Sequence, residues 1–260
     1  MTTGAFLAID IGNTTIAFGV LHKDKVLHDY HVETTLSRLK LEKALKRILK
    51  TIKGKYSRFE RIAICSVVPG VLNVVEAVIK KEWNQKPVVI GRDIPVPIKN
   101  NYQHPEQVGH DRLVCAYAVK RLYGTPAIVI DFGTAITFDF VSRHGRYEGG
   151  MIVPGIRLSA ESLFHKTALL PRIETIARPR RLIGKNTKES ILSGLFFGYG
   201  AMACGLIELI SQNIKGNPRV MVTGGYTDLM RKFIAKKIDT IDPYLVYKGI
   251  YYCCQMPTLK

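Results

Sequence analysis

Two short stretches of this chain put a carboxylate where it could meet a phosphate or a metal. Ile128-Val129-Ile130-Asp131-Phe132-Gly133-Thr134-Ala135-Ile136-Thr137-Phe138-Asp139 is an apolar run that meets one acid, turns at a glycine beside a hydroxyl, and runs out again. The chain opens in the same way. Phe6-Leu7-Ala8-Ile9-Asp10-Ile11-Gly12-Asn13-Thr14-Thr15-Ile16-Ala17-Phe18-Gly19 has the acid, the glycine and the hydroxyls in the same order. Each stretch reads as strand, tight turn, strand. An aspartate at the end of a buried strand is costly unless a cation or hydrogen-bond donors meet it. Backbone N–H groups and hydroxyls at Asn13, Thr14 and Thr15 could cradle phosphate oxygens, with Asp10 holding a metal bound to them. A plain hairpin with a surface aspartate would look alike, and D-x-G-x-T alone is a weak motif. Its repetition about half a chain apart carries more weight, and predicts two similar halves facing each other.

A third candidate is Gly109-His110-Asp111-Arg112, just ahead of the apolar helical run Leu113 to Leu122. An aspartate in a first turn can be a capping or dipole feature. It can equally be a general base, with Arg112 gripping an anion. His110 carries no signal of its own. Glycines recur at two further turns, Glu148-Gly149-Gly150-Met151-Ile152-Val153-Pro154-Gly155 and Thr223-Gly224-Gly225. Either could bring backbone close to a ligand, or simply turn the chain.

The elements that must hold these residues follow from periodicity. A strand meander is expected over residues 5–35 and a helix from Leu36 to about Ile52, with its lysines and arginines on the outer face. Arg61 to Pro69 reads as a buried strand, Gly70 to Trp83 as a helix and Pro87 to Ile90 as a strand, which implies parallel pairing and an α/β class. Further helices are expected at Arg157 to Leu170 and Asp228 to Lys237. Asn186 and Glu189 have capping-box spacing at the head of a long helix. Ile191 to Ile207 is uncharged and near the length of a membrane span. Its glycines and its α/β setting favour a buried helix packed closely, including across a subunit interface. Tyr244 to Tyr247 reads as a last strand and Lys248 to Cys254 as a terminal helix.

Composition narrows the class. A chain of 260 residues, 47% hydrophobic, can bury two cores of ordinary size, and we place the boundary between residues 1–124 and 125–260. Met1-Thr2-Thr3-Gly4 leads into the first strand without a basic, apolar leader. The 5 cysteines lack C-x-x-C spacing, which fits reduced thiols in a cytoplasmic protein better than disulfides or zinc. With 38 Lys+Arg against 21 Asp+Glu, the net charge is +17. That excess suits polyanion binding or attraction of small anions. No basic module interleaved with aromatics appears, so nucleic acid is not the expected partner.

Taken in order, seven pieces resemble the type III pantothenate kinase family. They are Asp10-Ile11-Gly12-Asn13-Thr14, Ser66-Val67-Val68-Pro69, Gly109-His110-Asp111-Arg112, Asp131-Phe132-Gly133-Thr134-Ala135, Gly149 to Gly155, Ile183-Gly184-Lys185-Asn186-Thr187 and Thr223-Gly224-Gly225. The resemblance implies the duplicated, ribonuclease H-like fold of the actin, acetate kinase and sugar kinase superfamily, with mixed sheets flanked by helices. It implies ATP-dependent phosphorylation of pantothenate to 4′-phosphopantothenate, the first committed step towards coenzyme A. On this resemblance Asp10, Ile11, Gly12, Asn13, Thr14, Thr15, Ile16 and Ala17 bind the ATP phosphates, Asp10 near magnesium, and Thr134 touches ATP. Asp111 is the base; Gly109, His110 and Arg112 surround pantothenate, and Tyr102 and Thr187 contact it. Asp131 helps hold potassium or ammonium. Homodimers with sites at the interface are implied, Thr187 reaching in from the second subunit, together with an open, weakly binding ATP site.

Three features depart from the family: the basic charge, His110 where a small residue is common, and a C-terminus, Tyr251-Tyr252-Cys253-Cys254, without a counterpart. A regulatory protein like the Bvg accessory factor, or a kinase of another small alcohol on the same fold, would be the alternatives. Asp10, Asp111 and Asp131 are all present, which favours the kinase.

Overall fold

The computed structural model describes residues 4–214 and 216–255. Residues 1–3, on which the reading of a leaderless start rests, lie outside them. The chain is α/β and divides into two compact units. One runs to Arg121 and resumes at Tyr244; the other is Leu122–Pro243. The C-terminal helix thus counts with the first unit, whereas the sequence reading had put everything from residue 125 in the second.

In the first unit β1 (Ala5–Ile11), β2 (Thr15–His22) and β3 (Lys25–Glu33) form the expected meander. Helix α1 (Arg38–Lys55), strand β4 (Arg61–Ser66), helix α2 (Pro69–Trp83) and the short β5 (Val88–Val89) follow. The sheet order is β3-β2-β1-β4-β5, antiparallel across β3-β2-β1 and parallel across β1-β4-β5. After the two-residue β6 (Lys99–Asn100) comes α3 (His110–Leu122).

The two faces of this sheet differ in side-chain size. Leu7, Ile9, Ile11, Ile16, Phe18, Val20, Ile62 and Ile64 alternate onto one face and pack on Leu41, Leu45, Leu49 and Ile52 of α1 and Val75 and Ile79 of α2. Each fully buried aliphatic of this kind contributes about 1.5–3 kcal/mol. By the period of two, the other face carries Phe6 and Leu21 at one end and Ala8, Asp10, Ala17, Gly19, Ala63 and Cys65 towards the Asp10 turn. These small side chains let backbone come close.

The second unit repeats the plan. It comprises β7 (Ala127–Phe132), β8 (Ala135–Val141), β9 (Arg146–Pro154), α4 (Ile156–Lys166), α5 (Thr187–Asn213), β10 (Arg219–Thr223), α6 (Thr227–Ile234) and β11 (Thr240–Ile241). Strands β9-β8-β7-β10-β11 run in the same order and with the same directions as β3-β2-β1-β4-β5. Ile128, Ile130, Phe132, Ile136 and Phe138 face Ile156, Phe196, Ala203, Ile207, Met230 and Ile234 of the helices. Helix α5 is long and apolar enough to cross a membrane by length and composition. Its Ile191, Phe196, Ala203 and Ile207 nevertheless belong to this core.

Three details differ from the sequence reading. Helix α4 stops at Lys166 rather than near Leu170. Thr240–Ile241 is the last strand, and Leu245–Cys254 (α7) is helical throughout; buried Leu245, Tyr247 and Ile250 read as alternation over too short a window. And α5 is not buried all round: Gly194, Gly198, Ala201, Gly205 and Leu209 are exposed on one side.

Phe59 anchors the first core. It has no exposed surface and packs on Tyr56 at 5.7 Å and Trp83 at 5.5 Å between ring centroids. Phe59→Ala should lower unfolding stability by about 3–5 kcal/mol, read from the urea midpoint. A loss under about 1 kcal/mol would mean the cluster is not well packed.

Candidate active site

Asp10 and Asp131 occupy equivalent places. Each is the last residue but one of the central strand of its unit, flanked by a hairpin strand on one side and a parallel strand on the other. Asp10 pairs with Ala17 and Cys65; Asp131 pairs with Thr137 and Thr223. The turns that follow are closed by Gly12 N–H to Thr15 O at 3.0 Å and Gly133 N–H to Ala135 O at 3.1 Å. The first turn is one residue longer, and its Asn13 and Thr14 are exposed, as is Thr134. Ile11 and Ile16 are buried beneath the first turn, with Ala17 half-buried beside Asp10. Thr34 donates to the Gly12 carbonyl at 2.8 Å and pins that turn to β3.

The first unit brings Asp10 and Asp111 to the same face. Cys65, the β4 partner of Asp10, lies near both and is fully buried. Burial foremost, then the charges of Asp10, Asp111 and Cys253, push its thiol well above the ordinary range. A neutral thiol therefore lies near two carboxylates. Asp111 stands in the first turn of α3, where its Oδ1 accepts the Arg112 N–H at 2.9 Å. That carboxylate folds back over Gly109, where a Cβ would overlap Oδ1 and lie 3.5 Å from Val67. A side chain at 109 would therefore displace the Asp111 carboxylate.

His110 turns its ring onto Gly91: a Cβ there would be 2.6 Å from the imidazole Cδ2. Tyr102 lies half-buried in the loop ahead of α3. Its N–H donates to Asn100 Oδ1 at 3.0 Å, while the Asn100 side chain donates to the Pro105 carbonyl at 3.2 Å.

In the second unit the Asp131 carboxylate is enclosed by glycine backbone. Gly224, at φ +98°, has no room for a Cβ against Asp131 Oδ1 and Phe132 N, and a Cβ at Gly133 would be 3.2 Å from Oδ1. Gly155 N–H donates to Thr134 O at 3.0 Å and fastens the Gly149–Gly155 segment to the same turn. Buried Asp139 shares the β8 face with Thr137, accepting from Tyr147 Oη at 2.7 Å and Thr137 Oγ1 at 3.0 Å. Thr187 is the exposed first residue of α5. There Asn186 Oδ1 accepts the Glu189 N–H at 2.9 Å, the expected cap. The Glu189 carboxylate reaches Lys185 N–H at 3.0 Å, which, ahead of nearby Arg181, lowers its pKa.

Among the described residues no group of three or more His, Cys, Asp or Glu converges to hold a metal. Lone carboxylates beside glycine-lined turns suit a hard cation that keeps its waters and shares phosphate oxygens. They do not suit a dedicated zinc cage. Sequence reasoning singled out the aspartates but neither Cys65 near them nor the packing of α7 on their layer. Gly19 was the available signal, because a glycine inside a strand often marks a close neighbour.

Comparison with known proteins adds identity. The family described as type III pantothenate kinase matches residues 6–209. A type III pantothenate kinase from Persephonella marina is 42% identical over 248 residues, covering 94% of this chain and 96% of the relative. One from Geobacillus sp. is 37% identical, covering 93% and 94%. Among solved structures, the activator of 2-hydroxyisocaproyl-CoA dehydratase from Clostridium difficile has a TM-score of 0.55 at 13% identity, covering 96% of this chain and 94% of that one. A ROK family glucokinase from Streptomyces griseus has 0.52 at 14%, covering 96% and 98%. These structural likenesses fix the fold as that of the actin-like ATPases and sugar kinases. With two thirds of its length and more matched in sequence and both carboxylate turns in place, the chain belongs to the type III pantothenate kinase family.

Proposed function

We propose that this enzyme transfers the γ-phosphoryl group of ATP to the hydroxyl of pantothenate, giving 4′-phosphopantothenate and ADP, the step that opens coenzyme A synthesis. The observation that carries the reading is the shared face of Asp10 and Asp111 around Cys65, within a chain that matches the family over residues 6–209.

On this reading the Asp10 turn receives the triphosphate. The N–H groups and hydroxyls from Gly12 to Thr15 meet phosphate oxygens, with Ile11, Ile16 and Ala17 fixing the two strands beneath them. Thr134 meets ATP from the second carboxylate turn. Asp111 accepts the proton of the pantothenate hydroxyl as that oxygen bonds the γ-phosphorus and the bond to the ADP oxygen breaks. A carboxylate is base enough, since in a loose transition state the proton leaves late. Arg112 meets the pantothenate carboxylate, with Gly109, Tyr102 and Thr187 around the rest. His110 contributes through its place in the first turn of α3, its ring being held on Gly91.

A kinase takes ATP with a divalent metal; we infer magnesium, beside Asp10, and potassium or ammonium at Asp131. Bound there, these cations neutralise charge that develops on the phosphates. The glycine-lined setting of Asp131 supports an oxygen-rich cation site.

A homodimer in the cytoplasm completes the reading. Its support is the exposed side of α5, where Gly194, Gly198 and Gly205 have no atom within 4 Å of a would-be Cβ. Leu182, Ile183 and Leu209 beside it are more than half exposed. Small side chains on an apolar helix face allow a second helix to approach closely.

Asp111→Asn should lower kcat by at least about 100-fold with the pantothenate KM little changed; turnover near that of the parent would remove Asp111 as base. Replacing potassium by sodium should slow the reaction, and Asp131→Asn should erase the difference. Equal rates in both salts for the parent enzyme would leave Asp131 without a cation. Gly198→Glu leaves the protomer's packing untouched, so light scattering should report a monomer; an unchanged dimer would move the interface elsewhere.

A further inference from the structure

Helix α7 lies beyond residue 209, where the family match ends, yet it is built into the layer that carries both carboxylates of the first unit. Tyr247 is buried, and its ring fills a notch at Gly19, where a Cβ would stand 2.6 Å from ring carbons. Gly19 pairs with Ala8, one step from Asp10 along the same face of β1. Two residues further on, Gly249 is pressed onto α3. A Cβ there would be 2.5 Å from Val114 Cγ1 and would overlap the Val114 carbonyl oxygen. Val114 sits one turn after Asp111. A single turn of α7 therefore touches the strand pair that ends in Asp10 and the helix that begins with Asp111.

The rest of α7 is anchored. Phe6 and Tyr251 meet edge to face at 5.2 Å, and Tyr252 Oη donates to Asp24 at 2.9 Å. Arg61 donates to the Cys254 carbonyl at 2.8 Å, a cation at the negative end of the helix. Burial first, and then the nearby Asp10 charge, raise the Tyr247 phenol, so it stays neutral beside that carboxylate.

We propose that α7 is a two-point spacer that sets the distance between the Asp10 strand and the Asp111 helix, with Tyr247 the positioning residue for Asp10 and Gly249 for Asp111. This rests on the roles given above to those two aspartates. Misplacement of reacting groups by about 1 Å can cost 100-fold in rate. Tyr247→Leu leaves the Gly19 notch half empty behind Asp10. Gly249→Ala forces α7 and α3 apart and carries Asp111 with α3.

The test compares Tyr247→Leu, Tyr247→Phe and Gly249→Ala with Asp10→Asn and Asp111→Asn in the full-length enzyme. The readouts are kcat and KM, calorimetric binding of magnesium AMP-PNP, and thermal melts. Tyr247→Leu should lower kcat at least about ten-fold and weaken nucleotide binding several-fold. Gly249→Ala should lower kcat similarly with nucleotide binding unchanged, because it acts on Asp111. Tyr247→Phe, which keeps the ring, should restore both. If Tyr247→Leu does not fold, Tyr247→Met, of similar volume but without the flat ring, takes its place with the same expectation. Variants that lower the melting point while kcat of the folded enzyme stays at the parent value would reduce α7 to a structural helix and overturn the proposal. That result with both aspartate variants inactive would leave the kinase reading standing. Active aspartate variants would sink both.

Discussion

The arrangement depends on a constraint that acts at Asp10: a carboxylate must sit at the end of a fully buried strand without being buried with it. The residues around it meet that constraint by size. Phe6 and Leu21 stand farther along the face that carries Asp10; beside the carboxylate the sheet offers only alanines, a glycine and the neutral thiol of Cys65. A side chain as large as leucine there would lift α3 and α7 off the sheet and take Asp111 with them. A second charge in place of Cys65 would be worse, since an unpaired buried ion costs several kcal/mol. The opposite face has no such limit, and takes the large aliphatics that stabilise the unit. The fold thus separates its two tasks onto the two sides of one sheet.

The second unit reaches the same separation with different chemistry. Its core face is again aliphatic and aromatic, while Asp131 shares the other with Thr137 and Asp139. Asp139 is buried in full and supplied with two hydroxyl donors, which offset much of its desolvation. Where the first unit lines its carboxylate with small apolar groups, the second lines it with hydroxyls and glycine backbone. On the function proposed above, this difference suits a division of labour in which the first turn meets phosphate and the second a cation.

Much of this was legible in the chain because it is written locally. The D-x-G turns, the apolar runs of β1 and β7 and the Asn186 cap each rest on residues within a few positions of one another, and each formed as read. The repeat betrayed the duplication. What could not be read is what depends on distant partners. The contact of Gly19 with Tyr247 joins residues at opposite ends of the chain, so α7 looked like an unmatched tail. His110 has no signal of its own in the chain, and the packing of its ring on Gly91 joins residues 19 positions apart. Helix α5 is legible only in part for a related reason. Hydropathy says that a face is apolar, not whether this chain covers it.

The excess of positive charge also finds its place once the faces are distinguished. Every charged side chain of α1 except Glu42 is basic, and α1 packs on the aliphatic face of the sheet, opposite Asp10 and Asp111. The sheet stands between its lysines and the carboxylates. They therefore cannot hold the phosphates during transfer. What they can do is raise the potential through which anions approach, and every reactant of this kinase is an anion. Such a field acts on encounter rather than on the chemical step.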